Sequence, residues 1–244
     1  MCGRFSITTP PEALRALFNY VEQPNFPPRY NIAPTQPVPI VTLMNGKRHF
    51  KLVRWGLVPS WAKELPKTVL NNARAETINE KPSFRGGIRH RRCLIPTDGF
   101  YEWQAKDSGP KQPYLIRRRD QQPFAMAGIW EDWLTADGSE LDSCAIITTA
   151  ANDTMAPVHA RMPVILDPSD WDEWLDTAET RAKDAMKLLK PASNELLETI
   201  PISTRVNKVS EDDEGLLVFQ EAPDKIIEKE KQPKKKNDDQ LDLL

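Results

Sequence analysis

Apolar residues recur at helical spacing near the start of the chain. They follow the i, i+3, i+4 pattern of one helical face at Leu14, Leu17, Phe18 and Val21. Thr9 and two prolines precede them, and a proline in the first turn lacks only an N–H that the helix leaves unpaired. The pattern predicts a helix over residues 10–21.

The following part of the chain contains short, mostly apolar or β-branched runs. Such runs predict strands over residues 38–44, 48–54, 92–96, 99–104, 114–118, 124–130 and 144–148. Asn45-Gly46 separates the first two runs and is a strong signal for a two-residue hairpin.

The last third of the chain favours helices. Ser169 is expected to cap a helix over residues 170–175, and a segment rich in Ala, Lys and Leu predicts another around residues 179–189. Beyond residue 222 the chain is rich in Lys, Glu and Asp, which predicts a disordered tail over residues 223–244. Together the elements predict a single mixed α+β domain over residues 2–222, built of strongly curved antiparallel sheets with flanking helices.

Cysteine and histidine usage argues against a metal centre. The chain has three cysteines and three histidines without a close pair, so we expect neither a metal nor another cofactor. Cys93 and Cys144 lie in apolar runs and are predicted to be buried thiols. No apolar run reaches membrane-spanning length and no signal pattern precedes the domain, so we expect a cytoplasmic monomer with reduced cysteines.

The charge distribution is asymmetric along the chain. Residues 1–100 contain 15 Lys/Arg and 6 Asp/Glu, a net charge of +9, which leaves −11 for the remaining residues of a chain whose total is −2. A basic half of this kind suits a polyanion such as nucleic acid. The alternative is a solvated basic face balanced by the acidic half, which charge alone does not exclude.

Cys2 directly follows the initiator methionine, and a small residue there usually allows that methionine to be removed. The new terminus would carry an α-amine with a reference pKa of about 7.7–8.0 beside a thiol of about 8.5. Such a pair can capture an aldehyde as a Schiff base and then close a thiazolidine ring. On these residues alone, a chance cysteine near a frayed terminus is the better interpretation.

Five short motifs reverse that preference. In chain order they are CGRF (2–5), RWGLVP (54–59) with Trp61 after it, NARAET (72–77), GFYEW (99–103) and HARMP (159–163). This set resembles the SOS-response-associated peptidase (SRAP) family, also called abasic-site-processing proteins, and the resemblance covers about residues 2–220. It implies an SRAP-like domain that crosslinks its N-terminal cysteine to abasic sites in single-stranded DNA, which shields the lesion during replication.

The resemblance also implies that Asn72, Glu102 and His159 join Cys2 in the active site, and their residue types suit aldehyde chemistry. An amide orients the reactants, a carboxylate relays protons, and an imidazole binds a phosphate or protonates a sugar oxygen. Taken singly, each is better interpreted as structural: Asn72 as a turn residue, Glu102 as a surface charge on a half-buried strand and His159 as a core histidine. The order of the motifs favours the functional interpretation.

Other motif residues suit a groove for the DNA strand. Arg4, Arg74 and Arg161 neighbour the active-site positions in sequence and are candidate phosphate ligands. Trp55 and Trp61 are candidates for stacking on bases, although most tryptophans in such a domain belong to the core. Residues 31–35 (NIAPT) resemble a further family segment with a lining role.

The last five residues carry a separate signal. Gln240, Leu241, Asp242, Leu243 and Leu244 resemble the pentapeptide that docks replication and repair proteins on the bacterial sliding clamp. A solvated tether before them would let the peptide reach a partner.

Two other function classes stay open at the level of the sequence. One is a cysteine-dependent peptidase with Cys2 as nucleophile and His159 as base, with removal of Met1 as its minimal activity. The other is a module that binds nucleic acid without covalent chemistry.

Overall fold

The computed structural model describes residues 2–135 and 138–220, which contain thirteen strands and four α-helices. The strands are β1 (Arg4–Ile7), β2 (Arg29–Ile32), β3 (Pro37–Met44), β4 (Lys47–Trp55), β5 (Asn72–Arg74), β6 (Arg92–Thr97), β7 (Gly99–Gln104), β8 (Gln112–Arg118), β9 (Phe124–Leu134), β10 (Glu140–Ala150), β11 (Arg161–Pro163), β12 (Ile165–Leu166) and β13 (Leu197–Pro201). The helices are α1 (Pro11–Phe18), α2 (Arg85–His90), α3 (Trp171–Leu175) and α4 (Ala182–Ala185).

Five strands close into a barrel in the order β10, β4, β3, β6 and β9, with β9 pairing again with β10. All of these pairs are antiparallel except β10 with β4, which run parallel. Closure leaves no free edge within this ring of strands and curves the sheet strongly around its core. The short strand β5 also pairs with β10, in parallel.

A second sheet has the strand order β13, β8, β7, β1 and β2, and every pair in it is antiparallel. Its strand β1 begins two residues after Cys2 and lies between β7 and β2. The ring of Phe5 in β1 meets Trp55 of the barrel edge-on, with 5.0 Å between the ring centroids. This contact joins the sheet that carries the chain start to the barrel.

The predicted fold class is confirmed, and each of the seven predicted strands is present. The hairpin is confirmed as well, since Asn45 and Gly46 both have positive φ (50° and 70°), as a type I′ turn requires. The first helix ends at Phe18, earlier than predicted, because Asn19 adopts the left-handed conformation that terminates it. Cys93 and Cys144 are fully buried, as predicted.

Two helix predictions need correction. Ser169 does not cap α3: it lies within a 3₁₀ turn, Pro168–Asp170, that Asp167 caps by accepting the Ser169 backbone N–H at 3.0 Å. The N-cap of α3 is Asp170, which makes no side-chain capping hydrogen bond. The predicted helix over residues 179–189 is only α4 and a 3₁₀ turn, Met186–Leu188. Residues 223–244, with the clamp-like peptide, lie outside the described residues. Within the described part of the chain no helix is long and apolar enough to cross a membrane.

Candidate functional site

Cys2 lies at the start of β1 and is fully buried. Its Sγ donates a long hydrogen bond of 3.8 Å to the carbonyl of Arg4. Burial raises the pKa of the thiol well above its usual range, the nearby Glu102 carboxylate raises it further, and the hydrogen bond to Arg4 opposes both effects. The thiol is therefore held in its neutral form near pH 7.

Asn72 contacts Cys2 directly. It begins β5, whose parallel pairing sets Asn72 opposite Ile146 of β10, and its Nδ2 donates to the Cys2 carbonyl at 2.8 Å. Its Oδ1 is buried and has no hydrogen-bond partner within the described residues. An unsatisfied buried acceptor is costly, so its presence beside Cys2 suits a group that arrives with a ligand or with a free amine.

Asn71 is a contact that the sequence did not single out. Its Nδ2 also points at the Cys2 carbonyl, at 3.4 Å, and its own carbonyl accepts the Trp55 indole N–H at 2.9 Å. The signal in the sequence that could have identified Asn71 is its position directly before Asn72, as the first of two adjacent asparagines at the start of β5. Trp55 is fully buried, so it is a poor platform for stacking on bases, contrary to its candidate role, and it instead positions the segment that carries Asn72.

Glu102 lies on β7, the strand that pairs directly with β1, and is only 3% exposed. The register pairs Arg4 of β1 with Tyr101, so the next residue of β7 lies close to the chain start. The electrostatic effect of Glu102 on the Cys2 thiol agrees with this placement. The carboxylate and the thiol therefore belong to one site.

His159 lies in the turn between β10 and β11. Its Nδ1 lies 3.0 Å from the backbone nitrogen of Arg161 and 3.1 Å from the carbonyl oxygen of the same residue. Gln104, two residues after Glu102 on β7, donates to the carbonyl of Pro157 at 2.8 Å. That bond joins the end of the Glu102 strand to the turn that carries His159.

The three arginines have different surroundings. Arg74 is exposed. Arg161 donates to both carboxylate oxygens of Glu76, at 2.5 and 2.9 Å, and to the Thr148 carbonyl at 2.7 Å. Arg4 donates to the side chain of Asn31 at 2.8 Å and to backbone carbonyls of the 206–207 loop. Arg74 is thus the most available of the three for a phosphate.

Asn31, in the NIAPT segment, has a structural role that the sequence did not reveal. It is fully buried, and its Nδ2 donates to the carbonyls of Val206, Lys208 and Glu211. It therefore fastens the loop after β13 to β2, next to the strand that follows Cys2.

The basic half of the chain is partly neutralised by the acidic half. Ion pairs between basic residues of the first half and acidic residues of the second include Arg29–Asp212, Arg48–Asp172, Lys51–Asp142 and Arg91–Asp132. Trp61, by contrast, is 64% exposed and is available for stacking. Over residues 2–135 and 138–220 there is no cluster of His, Cys, Asp and Glu suited to a metal.

The fold and this arrangement agree with the motif resemblance, and the chain belongs to the SRAP family. The family's sequence profile, described as SOS response associated peptidase, matches residues 1–209. The chain is 40% identical to the abasic site processing protein YoqW of Bacillus subtilis over 213 residues, 85% of this chain and 94% of the relative.

A vertebrate relative and a solved structure extend the comparison. Identity to the abasic site processing protein HMCES of Xenopus tropicalis is 32% over 253 residues, with 85% of this chain and 75% of that protein covered. A crystal structure of a Bacteroides thetaiotaomicron protein matches with a TM-score of 0.80 at 28% identity, covering 90% of this chain and 100% of that one.

Proposed function

We propose that this protein processes abasic sites, by recognising them in single-stranded DNA and forming a covalent thiazolidine through Cys2. The observation that carries the proposal is the seating of Cys2: the Asn72 amide binds its carbonyl at 2.8 Å, and the Glu102 carboxylate acts on its thiol. The relatives named abasic site processing proteins support the same activity.

The proposed reaction needs only the ring-opened sugar aldehyde and an N-terminal cysteine. Once Met1 is removed, the Cys2 amine attacks the aldehyde carbon, and the carbonyl oxygen leaves as water to give an imine. The thiol sulfur then bonds to the imine carbon, and its proton ends on the ring nitrogen. The adduct weighs one water less than protein and DNA together.

The buried setting favours this order of steps. A thiol with a raised pKa is a poor first nucleophile at neutral pH, whereas an α-amine is partly uncharged there. We assign Glu102 the proton transfers to the departing hydroxyl and from the thiol. Asn72 orients the cysteine, and its unpaired Oδ1 is placed to accept a hydrogen bond from the new amine. His159 assists at the sugar or at a phosphate.

The DNA strand is proposed to run past this site on the exposed cations and aromatic surface. Arg74 contacts a phosphate, with Arg4 and Arg161 as partly engaged neighbours, and Trp61 stacks on a base. The bonds that Arg4 makes go to neutral acceptors, so its charge still attracts the strand.

The test compares two preparations of the same chain. One retains an N-terminal extension that prevents removal of Met1, and the other begins at Cys2. Each is mixed with a single-stranded oligonucleotide that contains an abasic site, and with a peptide substrate. We expect a stable adduct only from the second preparation, because the first holds the Cys2 nitrogen as an amide.

Other outcomes point elsewhere. Equal crosslinking by both preparations would refute thiazolidine formation. Peptide cleavage without an adduct would favour the cysteine peptidase, and binding without either product would favour a noncovalent module.

A further inference from the structure

A cleft lies on the surface between the loop after β4 and helix α2. Its lining includes Trp61, Arg85, Gly86, Arg89 and Glu131, and we name it the Trp61 cleft. The loop is fastened by the indole N–H of Trp133, which donates to the Ala62 carbonyl at 2.7 Å. Trp61 itself is 64% exposed, so it stands at the cleft with most of its ring uncovered.

Glu131 of β9 contributes a buried carboxylate to this cleft. Its side chain is 6% exposed, and its Oε2 lies 3.4 Å from Nη1 of Arg91. That Oε2 is buried and has no hydrogen-bond partner in the described part of the chain. Gly86 of α2 leaves room for the other oxygen, Oε1, since a Cβ on Gly86 would lie 3.1 Å from it. A carboxylate acceptor so deeply buried requires a donor to satisfy it.

The rest of the cleft matches a single-stranded nucleotide. An exposed indole offers a face for base stacking, which works with any base. Arg85 and Arg89 project from α2 as exposed cations beside it, suited to the phosphates on either side of a stacked base. Neither feature distinguishes one base from another, whereas a fixed carboxylate acceptor does, because it requires N–H groups on the base edge.

We propose that the Trp61 cleft is a nucleobase subsite in which Glu131 reads a donor edge, with guanine as the preferred base. Guanine presents its N1–H and N2 amino donors side by side, which one carboxylate oxygen or a carboxylate pair can accept. Thymine presents its single N3–H between two carbonyl oxygens, which the carboxylate repels. This inference rests on the proposed function, because it takes single-stranded DNA as the ligand.

The sheet register places this subsite away from the crosslinking site. Glu131 pairs with Ser143 of β10, and Asn72 pairs with Ile146 of the same strand. Three residues of a strand span about 10 Å, and β9 and β5 flank β10 on opposite sides, about 10 Å apart. The base that Glu131 reads therefore lies within a few nucleotides of the abasic sugar, and the subsite would make processing depend on the local sequence.

The experiment measures binding to intact DNA, so it does not depend on crosslinking. Short oligothymidine strands carry a central guanine, inosine or thymine, and their affinities for the whole protein are compared by fluorescence anisotropy at one fixed salt concentration. We expect the guanine strand to bind about ten-fold more tightly than the thymine strand. Inosine, which lacks the N2 amino group, should fall between them.

Two neighbouring variants separate base reading from a structural effect of charge. Glu131→Gln should abolish the guanine preference, because the amide offers a donor of its own to the base edge. Asp132→Asn is the matched control: Asp132 pairs with the same Arg91, at 2.7 Å, but does not line the cleft. It should keep the preference.

Each contrary result is informative. Equal binding of guanine and thymine strands by the unaltered protein overturns the subsite and leaves the crosslinking proposal intact. If the preference for guanine survives Glu131→Gln, or if Asp132→Asn also abolishes it, Glu131 is not the residue that reads the base. If Glu131→Gln fails to fold, equal binding of inosine and guanine by the unaltered protein refutes it instead. Failure to bind any strand refutes the proposed single-strand binding as well.

Discussion

Arg74 and Arg161 offer a sharp test of how the protein holds DNA, because their charges are available to different degrees. Arg74 is exposed, whereas the Arg161 side chain is 18% exposed and its guanidinium is paired with both oxygens of Glu76. Hydrogen bonding to Arg161 lowers the pKa of Glu76 below its usual range, so this carboxylate stays charged and neutralises its partner near pH 7.

The expected effects follow from counterion release. Each phosphate contact to single-stranded DNA contributes about 0.7 to the slope of log K against log salt, or roughly a 2–3-fold loss of affinity between about 50 and about 200 mM salt. Arg74→Ala should therefore lower the slope by about 0.7. Arg161→Ala should lower it by less than half as much, because Glu76 already balances that charge. Glu76→Gln should raise the slope by freeing Arg161.

The assay is equilibrium binding of an intact single-stranded oligonucleotide at several salt concentrations, with circular dichroism to confirm that each variant is folded. Equal slopes for Arg74→Ala and the unaltered protein would remove Arg74 from the phosphate site. A larger fall for Arg161→Ala than for Arg74→Ala, or a fall for Glu76→Gln, would refute the reasoning from their ion pairs.

Three further predictions concern the site, the core and the tail. Glu102→Gln should slow crosslinking by about a hundred-fold or more, because the proton relay is lost. It should also speed alkylation of Cys2, since removing a negative neighbour lowers the pKa of the thiol. Faster crosslinking by this variant would contradict the prediction. Arg92→Met should destabilise the fold by about 3–5 kcal/mol in urea unfolding, because four backbone carbonyls lose a buried charged donor, and a loss near zero would refute it. A peptide of residues 240–244 should bind a bacterial sliding clamp at about micromolar strength; clamp binding by protein without Leu243 and Leu244 would contradict it.

The long elements could be predicted from the sequence because their patterns are local. Strands β3, β4, β6 and β7 are runs long enough in apolar, aromatic and β-branched residues to be recognised, and the Asn45-Gly46 turn fixes one pairing. Strands of two to four residues, such as β1, β5 and β12, have no period of their own and form only because longer strands present an edge to them.

For the candidate site, the sequence supplied a set of residues but could not supply their geometry. Motif order selected Cys2, Asn72 and Glu102, yet their meeting depends on the pairing of β1 with β7 and of β5 with β10, which no local pattern encodes. The exposure of a tryptophan is likewise set by packing. Trp55 and Trp61 are six residues apart in one motif, and one is buried while the other is 64% exposed.

The central claim, a thiazolidine formed by Cys2, is tested most directly by the intact mass of the product. Protein that begins at Cys2 is incubated with an abasic single-stranded oligonucleotide beside its Cys2→Ala and Cys2→Ser variants. The account predicts a stable adduct of the unaltered protein one water lighter than the sum of its parts, none from Cys2→Ala without reduction, and only a borohydride-dependent adduct from Cys2→Ser. A stable adduct from either variant without reduction, or no adduct from the unaltered protein, would contradict the account.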